Sequence, residues 1–283
     1  MTLPTRKISI IMAVASLMMA VHATIARADG EWKVYASYHN ATKAVKAGSS
    51  IFVLANGNLF SYDTEDNRVY TYDKTNVLSD ISIYDIAYSS ATKQLVALYA
   101  NGNIDIIGMD GSVWNLADMK NKSLSDMTLN ELRVCGTRAL ISLNSGLVVA
   151  DLSKHYFVSL YYFDGKVKNA NMDGDNIYVN TSAGIIKGDI TTNLNNKNNW
   201  TKVSTAPVTF GTTQAEKEEA AALLETVKDI DINSPVRNIS YKLNMVGERL
   251  LVAGGAFSYS GVSYTGTAMM YENDNWSAFD EEK

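Results

Sequence analysis

The chain has 283 residues, of which 46% are hydrophobic and 19% charged, and its formal net charge is −5. That length fills one large or two small domains, and without a basic surplus a nucleic-acid footprint is excluded. A single cysteine, Cys135, excludes an internal disulfide framework.

Residues 1–28 read as a signal peptide: Arg6 and Lys7, the uncharged apolar run Ile8 to Val21, then an A-x-A site at Ala26 to Ala28. Cleavage is expected before Asp29, which makes the chain an exported one. No later segment is long and apolar enough for a membrane span. Residues 29–283 are then the folded part. Sixteen Tyr and only three Pro lean it towards pleated strands.

A phrase recurs along this part. Apolar runs meet a turn at Gly57, Gly102, Gly146 and Gly184, which lie 45, 44 and 38 residues apart, and a second apolar run follows each. An earlier turn precedes each phrase, near Ala47, Ser89, Cys135 and Asp173. A fourth segment with aromatic residues closes each unit. Four short strands per roughly 45 residues predict an all-β fold, a β-propeller of four-stranded blades. A seam repeats too: "LSDISI" from Leu78 and "LSDMTL" from Leu124.

The period breaks after Ser204. Ala220, Leu223, Leu224 and Val227 follow i, i+3, i+4, i+7 spacing and predict one helical insertion near residues 213–230, capped by Thr212 or Thr213. It reads as a surface insertion packing one apolar face on the propeller, or as a docking helix for a partner. A fifth unit follows, ending in "DNWSAFDEE". Aromatic outer strands are expected near Trp32, Tyr70, Trp114, Phe157, Trp200 and Trp276, six against five inner hairpins. That surplus predicts an incomplete ring of about five blades from a longer protein. The alternative is a five-bladed ring in which "EWKVYASY", Glu31 to Tyr38, is an N-terminal arm.

"GEWKVYASYHNATKAVKAGSSIFVLANGNLFSYD" followed by "NVLSDISIYDIAYSSATKQLVALYANGNIDII" resembles the N-terminal propeller of PorZ-like accessory proteins of the type IX secretion system of Bacteroidetes. The resemblance covers the mature chain to "MMYENDNWSAFDEEK". It implies a non-catalytic component in the periplasm or at the outer-membrane cell surface. It also implies two partners, a sortase-like peptidase and anionic lipopolysaccharide. The "LSD" seam also resembles periplasmic glycan-sensing propellers of two-component regulators, which is the alternative. A polysaccharide-degrading propeller enzyme is the third reading.

The residues themselves point to no catalytic, cofactor or metal site. His39 and His155 are isolated, and no zinc or hydrolase motif occurs. "DTEDN" at Asp63 and "NMDGDN" at Asn171 resemble calcium loops, but the full loop pattern is absent and these are ordinary turn residues. Cys135 reads as a small buried hydrophobe. For a sugar-binding surface the candidates are Tyr161, Tyr162 and Phe163, with Tyr259 and Tyr264. The ligand-binding residues themselves stay unassigned at this level.

Overall fold

The computed structural model describes residues 33–122, 126–235, 242–254, 257–259, 262–264 and 268–279, with backbone alone for 257–259 and 262–264. The four apolar phrases each become a four-stranded antiparallel sheet. Blade one is β1 (Ala41–Ala47), β2 (Ser50–Ala55), β3 (Asn58–Asp63) and β4 (Arg68–Tyr72). Blade two is β5 (Ile83–Ser89), β6 (Gln94–Tyr99), β7 (Ile104–Gly108) and β8 (Val113–Leu116). Blade three is β9 (Leu129–Cys135), β10 (Arg138–Leu143), β11 (Gly146–Asp151) and β12 (Tyr156–Tyr161). Blade four is β13 (Val167–Asp173), β14 (Asn176–Thr181), β15 (Gly184–Asp189) and β16 (Trp200–Val203). The fold is an all-β propeller with one helix, as the repeat predicts.

The second strands are apolar on both faces because each blade is sandwiched between neighbours. On β6, Leu95, Ala97 and Tyr99 pack with Phe52 and Leu54 of blade one. The alternate residues Val96 and Leu98 pack with Ile141 and Leu143 of blade three. From blade three, Leu140 and Val149 meet Ile177 and Val179 of blade four. Each such side chain contributes about 1.5–3 kcal/mol of burial, so the blade interfaces are the core. The innermost strands stand side by side, β1 against β5, β5 against β9 and β9 against β13.

Helix α1 (Gln214–Val227) covers the other face of blade one. Thr213 caps it in a capping box with Glu216. Leu223, Leu224 and Val227 then pack on Ala44, Ile51, Val53 and Phe60. The insertion therefore takes the place that a neighbouring blade takes elsewhere in the ring.

The fifth sheet is β17 (Lys242–Val246), β18 (Arg249–Ala253), β21 (Ala268–Glu272) and β22 (Asn275–Ala278). A small hairpin, β19 (Phe257–Tyr259) with β20 (Val262–Tyr264), is inserted between its second and third strands. One expectation is corrected. Residues 33–38 of the "EWKVYASY" segment form no strand, and Glu31 and Trp32 lie outside the described residues. Instead the Tyr35 ring packs edge-on against Tyr271 and Trp276 at 4.9 and 5.5 Å. Tyr38 does the same to Phe60 at 5.9 Å. Aromatic packing, not strand pairing, is what this stretch of alternating residues supplies. Residues 1–28, the expected signal peptide, also lie outside the described residues.

Candidate functional site

The inner strands β1, β5, β9 and β13 share one irregularity. Each slips register against its partner near its start, so that Thr42, Tyr84, Asn130 and Lys168 are extra residues. A bulge re-aims the side chains around it. Tyr84 Oη donates to the Leu129 carbonyl at 2.8 Å and Asn130 Nδ2 to the Val167 carbonyl at 2.6 Å, each stitching one blade to the next. The residue after each bulge is polar and half-buried: Lys43, Asp85, Glu131 and Asn169. These four line a cavity of about 660 Å³ between the inner strands, walled on another side by Gly211, Glu216, Glu219 and Leu223.

Two sets of paired charges line the cavity. Lys43 Nζ meets Asp85 Oδ1 at 2.5 Å across blades one and two. Arg133 Nη2 meets Glu131 Oε1 at 3.5 Å, and Arg133 Nη1 reaches Glu216 Oε1 on α1 at 3.2 Å. Arg133 Nη2 also donates to the Gly211 carbonyl at 2.7 Å. Burial pushes the Glu131 carboxyl up, while the Arg133 charge pulls it down without cancelling the shift. Burial lowers the Arg133 guanidinium, and the Glu216 and Glu131 carboxylates more than offset that, so its proton is held more tightly than usual. Sequence reading missed these residues. Their signal was a polar residue at the third position of every inner strand, visible only once the four strands are aligned.

The residues singled out by sequence divide. Tyr161 is buried with its ring 5.3 Å from Trp200, and Phe163 packs on the same ring at 4.8 Å, so both serve the core of blade four. This removes Tyr161 as a sugar-stacking surface. Tyr162 is 57% exposed. The side chains of Tyr259 and Tyr264 lie outside the described residues. Cys135 is half-buried, donates to Asn171 Oδ1 at 3.3 Å and has its thiol pushed up by burial. His155 stacks on Trp114 at 3.6 Å and its Nε2 lies 2.7 Å from Gln94 Nε2, tying blade three to blade two. His39 Nε2 lies 3.3 Å from the Ser234 carbonyl.

The calcium-like stretches are turns. Asp63 Oδ1 accepts from the Glu65 amide at 2.9 Å, and in the second stretch Asp173 pairs with Asn176 across the tight β13–β14 turn at Gly174 and Asp175. Asp151 and Asp189 repeat the Asp63 arrangement with Ser153 and Thr191. The "LSD" seam is packing chemistry. Asp80 accepts from Lys120 at 2.6 Å and Asn101 at 2.8 Å, and Asp126 accepts from Asn144 at 2.9 Å. Asn101 and Asn144 sit in equivalent hairpin turns, so the seam Asp ties an incoming segment to its own blade.

Among the described residues, no helix is long and apolar enough to cross a membrane. No curated protein matches the sequence. Among solved structures, PorZ, an essential bacterial surface component of the type-IX secretion system of Porphyromonas gingivalis, superposes with a TM-score of 0.73 at 21% identity. The match covers 89% of this chain and 46% of that one, so the chain spans about half its length. The extracellular domain of BT4673 from B. thetaiotaomicron matches with a TM-score of 0.44 at 14% identity, over 78% of this chain and 27% of that one. AztD from Citrobacter koseri matches at 0.44 and 14%, over 60% and 48%. The model of the type IX secretion system PorZ N-terminal β-propeller domain matches residues 51–201, more than half of the chain. With the propeller blades lying across that same stretch, the chain belongs to the PorZ N-terminal β-propeller family.

Proposed function

We propose that this protein is an exported, non-catalytic scaffold of a type IX secretion system, working at the outer-membrane surface with a sortase-like peptidase and anionic lipopolysaccharide. The observation that carries this reading is the family match across residues 51–201. The cavity walls set Lys43 and Arg133 against Asp85, Glu131 and Glu216, polar groups of both signs that a ligand could engage. The seam that also resembles sensory propellers is accounted for by blade packing around Asp80 and Asp126, so it carries no argument for a sensor.

The test is affinity recovery of the tagged native protein from an outer-membrane fraction after mild cross-linking. Co-recovery of a sortase-like peptidase and of anionic lipopolysaccharide is expected. Recovery of neither overturns the reading. N-terminal sequencing of the same material is expected to begin at Asp29, and an intact Met1 would remove the export step.

A further inference from the structure

Arg133 is under-used where it stands. A guanidinium carries five N–H donors in a planar fork that fits an oxyanion with two parallel bonds. Here three bonds go to three different acceptors, Glu216 at 3.2 Å, Glu131 at 3.5 Å and the Gly211 carbonyl at 2.7 Å. Both carboxylate contacts are long for charge-assisted bonds, and neither carboxylate takes the fork with two bonds. Arg133 Nε and Glu131 Oε2 are buried without a protein partner.

Glu216 is only partly committed to Arg133. Its Oε2 accepts from the Thr213 amide at 2.6 Å and the Thr213 hydroxyl at 2.9 Å. Its side chain is 44% exposed while that of Arg133 is 16% exposed, and an ion pair with one partner in solvent holds weakly. Other donors stand on the same walls. Asn169 lines the cavity with its oxygen engaged by Asn180, and the exposed Lys46 and Lys168 line it too. Besides Glu131 and Glu216, the opposing charges are Asp85, already paired with Lys43, and the exposed Glu219, so the lining holds four carboxylates against four cations.

We propose that Arg133 is a binding site for an oxyanion group, a carboxylate or phosphate on a ligand entering the cavity, and that Glu216 fills it in the ligand-free protein. The arriving group takes the fork with two bonds and Glu216 swings out, keeping its capping contact with Thr213. This rests on the ligand-binding part of the function proposed above and names the contact for it.

The test is calorimetric titration of the full chain with sodium glucuronate, inorganic phosphate and purified anionic lipopolysaccharide, each separately, with glucose as the neutral control. Glucose is expected not to bind, and at least one anion to bind. Tighter glucuronate binding assigns an acidic sugar, and tighter phosphate binding a phosphorylated group. Glu216→Gln keeps an oxygen for the cap and is expected to tighten anion binding roughly threefold to tenfold by removing the competitor. Arg133→Lys keeps the charge without the fork and is expected to weaken it about tenfold or more. Far-UV circular dichroism checks that each variant folds, and if Arg133→Lys does not, the Glu216→Gln result decides alone. No anion bound by wild type or Glu216→Gln, or unchanged affinity in Arg133→Lys, overturns the site. If Arg133→Lys loses neither anion nor lipopolysaccharide, the site fails and the scaffold reading stands. If wild type binds no lipopolysaccharide at all, that part of the scaffold reading fails.

Discussion

Asp80 carries a large share of one blade junction through its hydrogen bonds. Burial alone would raise its carboxyl, but Lys120, Asn101 and the Ile81 amide hold it well below the usual carboxylate range. A depressed carboxylate adds stability above its unfolded value near 3.9 and loses it as pH falls through the folded value. Asp80→Ala strands the donors of Lys120 and Asn101 and is expected to cost about 1–3 kcal/mol at pH 7 by urea denaturation. The gap to wild type should narrow in strongly acidic solution. Glycine gives a second case at this scale. Gly57 and Gly102 have φ of 74° and 84° and sit in turns. Gly146 aligns with them in sequence for another reason: an added Cβ would lie 2.3 Å from the Tyr161 carbonyl oxygen. Gly146→Ala must move backbone against backbone, and is expected to lower stability by about 1–3 kcal/mol. Gly48→Ala meets nothing within 4 Å and should cost only the strain of its φ of 65°, about 1 kcal/mol. Urea midpoints of the two variants check the order. Turn geometry accounts for Gly57, Gly102 and Gly184, whose φ is positive, but the reason at Gly146 was not legible in the sequence, because the Tyr161 carbonyl arrives from another strand.

Helix α1 shows what an element's own residues determine. A threonine cap and the apolar spacing were legible, since both are contacts within one turn or two of the chain, while the structure chose Thr213 over Thr212 and closed the capping box with Glu216. Thr213→Ala is expected to cost about 1 kcal/mol through the lost cap. Val227 is buried against blade one, and Val227→Ala should cost about 1–2 kcal/mol for the cavity it leaves. Chemical denaturation followed at a helix-sensitive wavelength checks both. What the helix covers was not legible. Its apolar stripe fits any apolar face, and only the arrangement of blades leaves the face of Ile51 and Val53 to be covered.

The blades differ in depth within the whole molecule. Every residue of β6, β7 and β11 is buried, whereas every residue of β17 is exposed, including Leu243, Met245 and Val246. Local opening follows burial. Native-state hydrogen exchange is expected to protect the amides of β6 and β10 most and those of β17 least, and equal protection in β6 and β17 would contradict this packing order.

The sequence by itself determined the strand pattern, the blade repeat, the helix with its cap and the family resemblance. All of these are written in spacings shorter than one repeat, or in the repeat itself. Only the tertiary structure decided which side chains meet across blades. Lys43 and Asp85 are 42 positions apart, about one repeat, and Arg133 and Glu216 are 83 apart; a repeat aligns equivalent positions but does not say which side chains touch. Placing four bulged inner strands around one cavity turned isolated polar residues into two sets of paired charges, because ion pairing depends on distance in space and not along the chain.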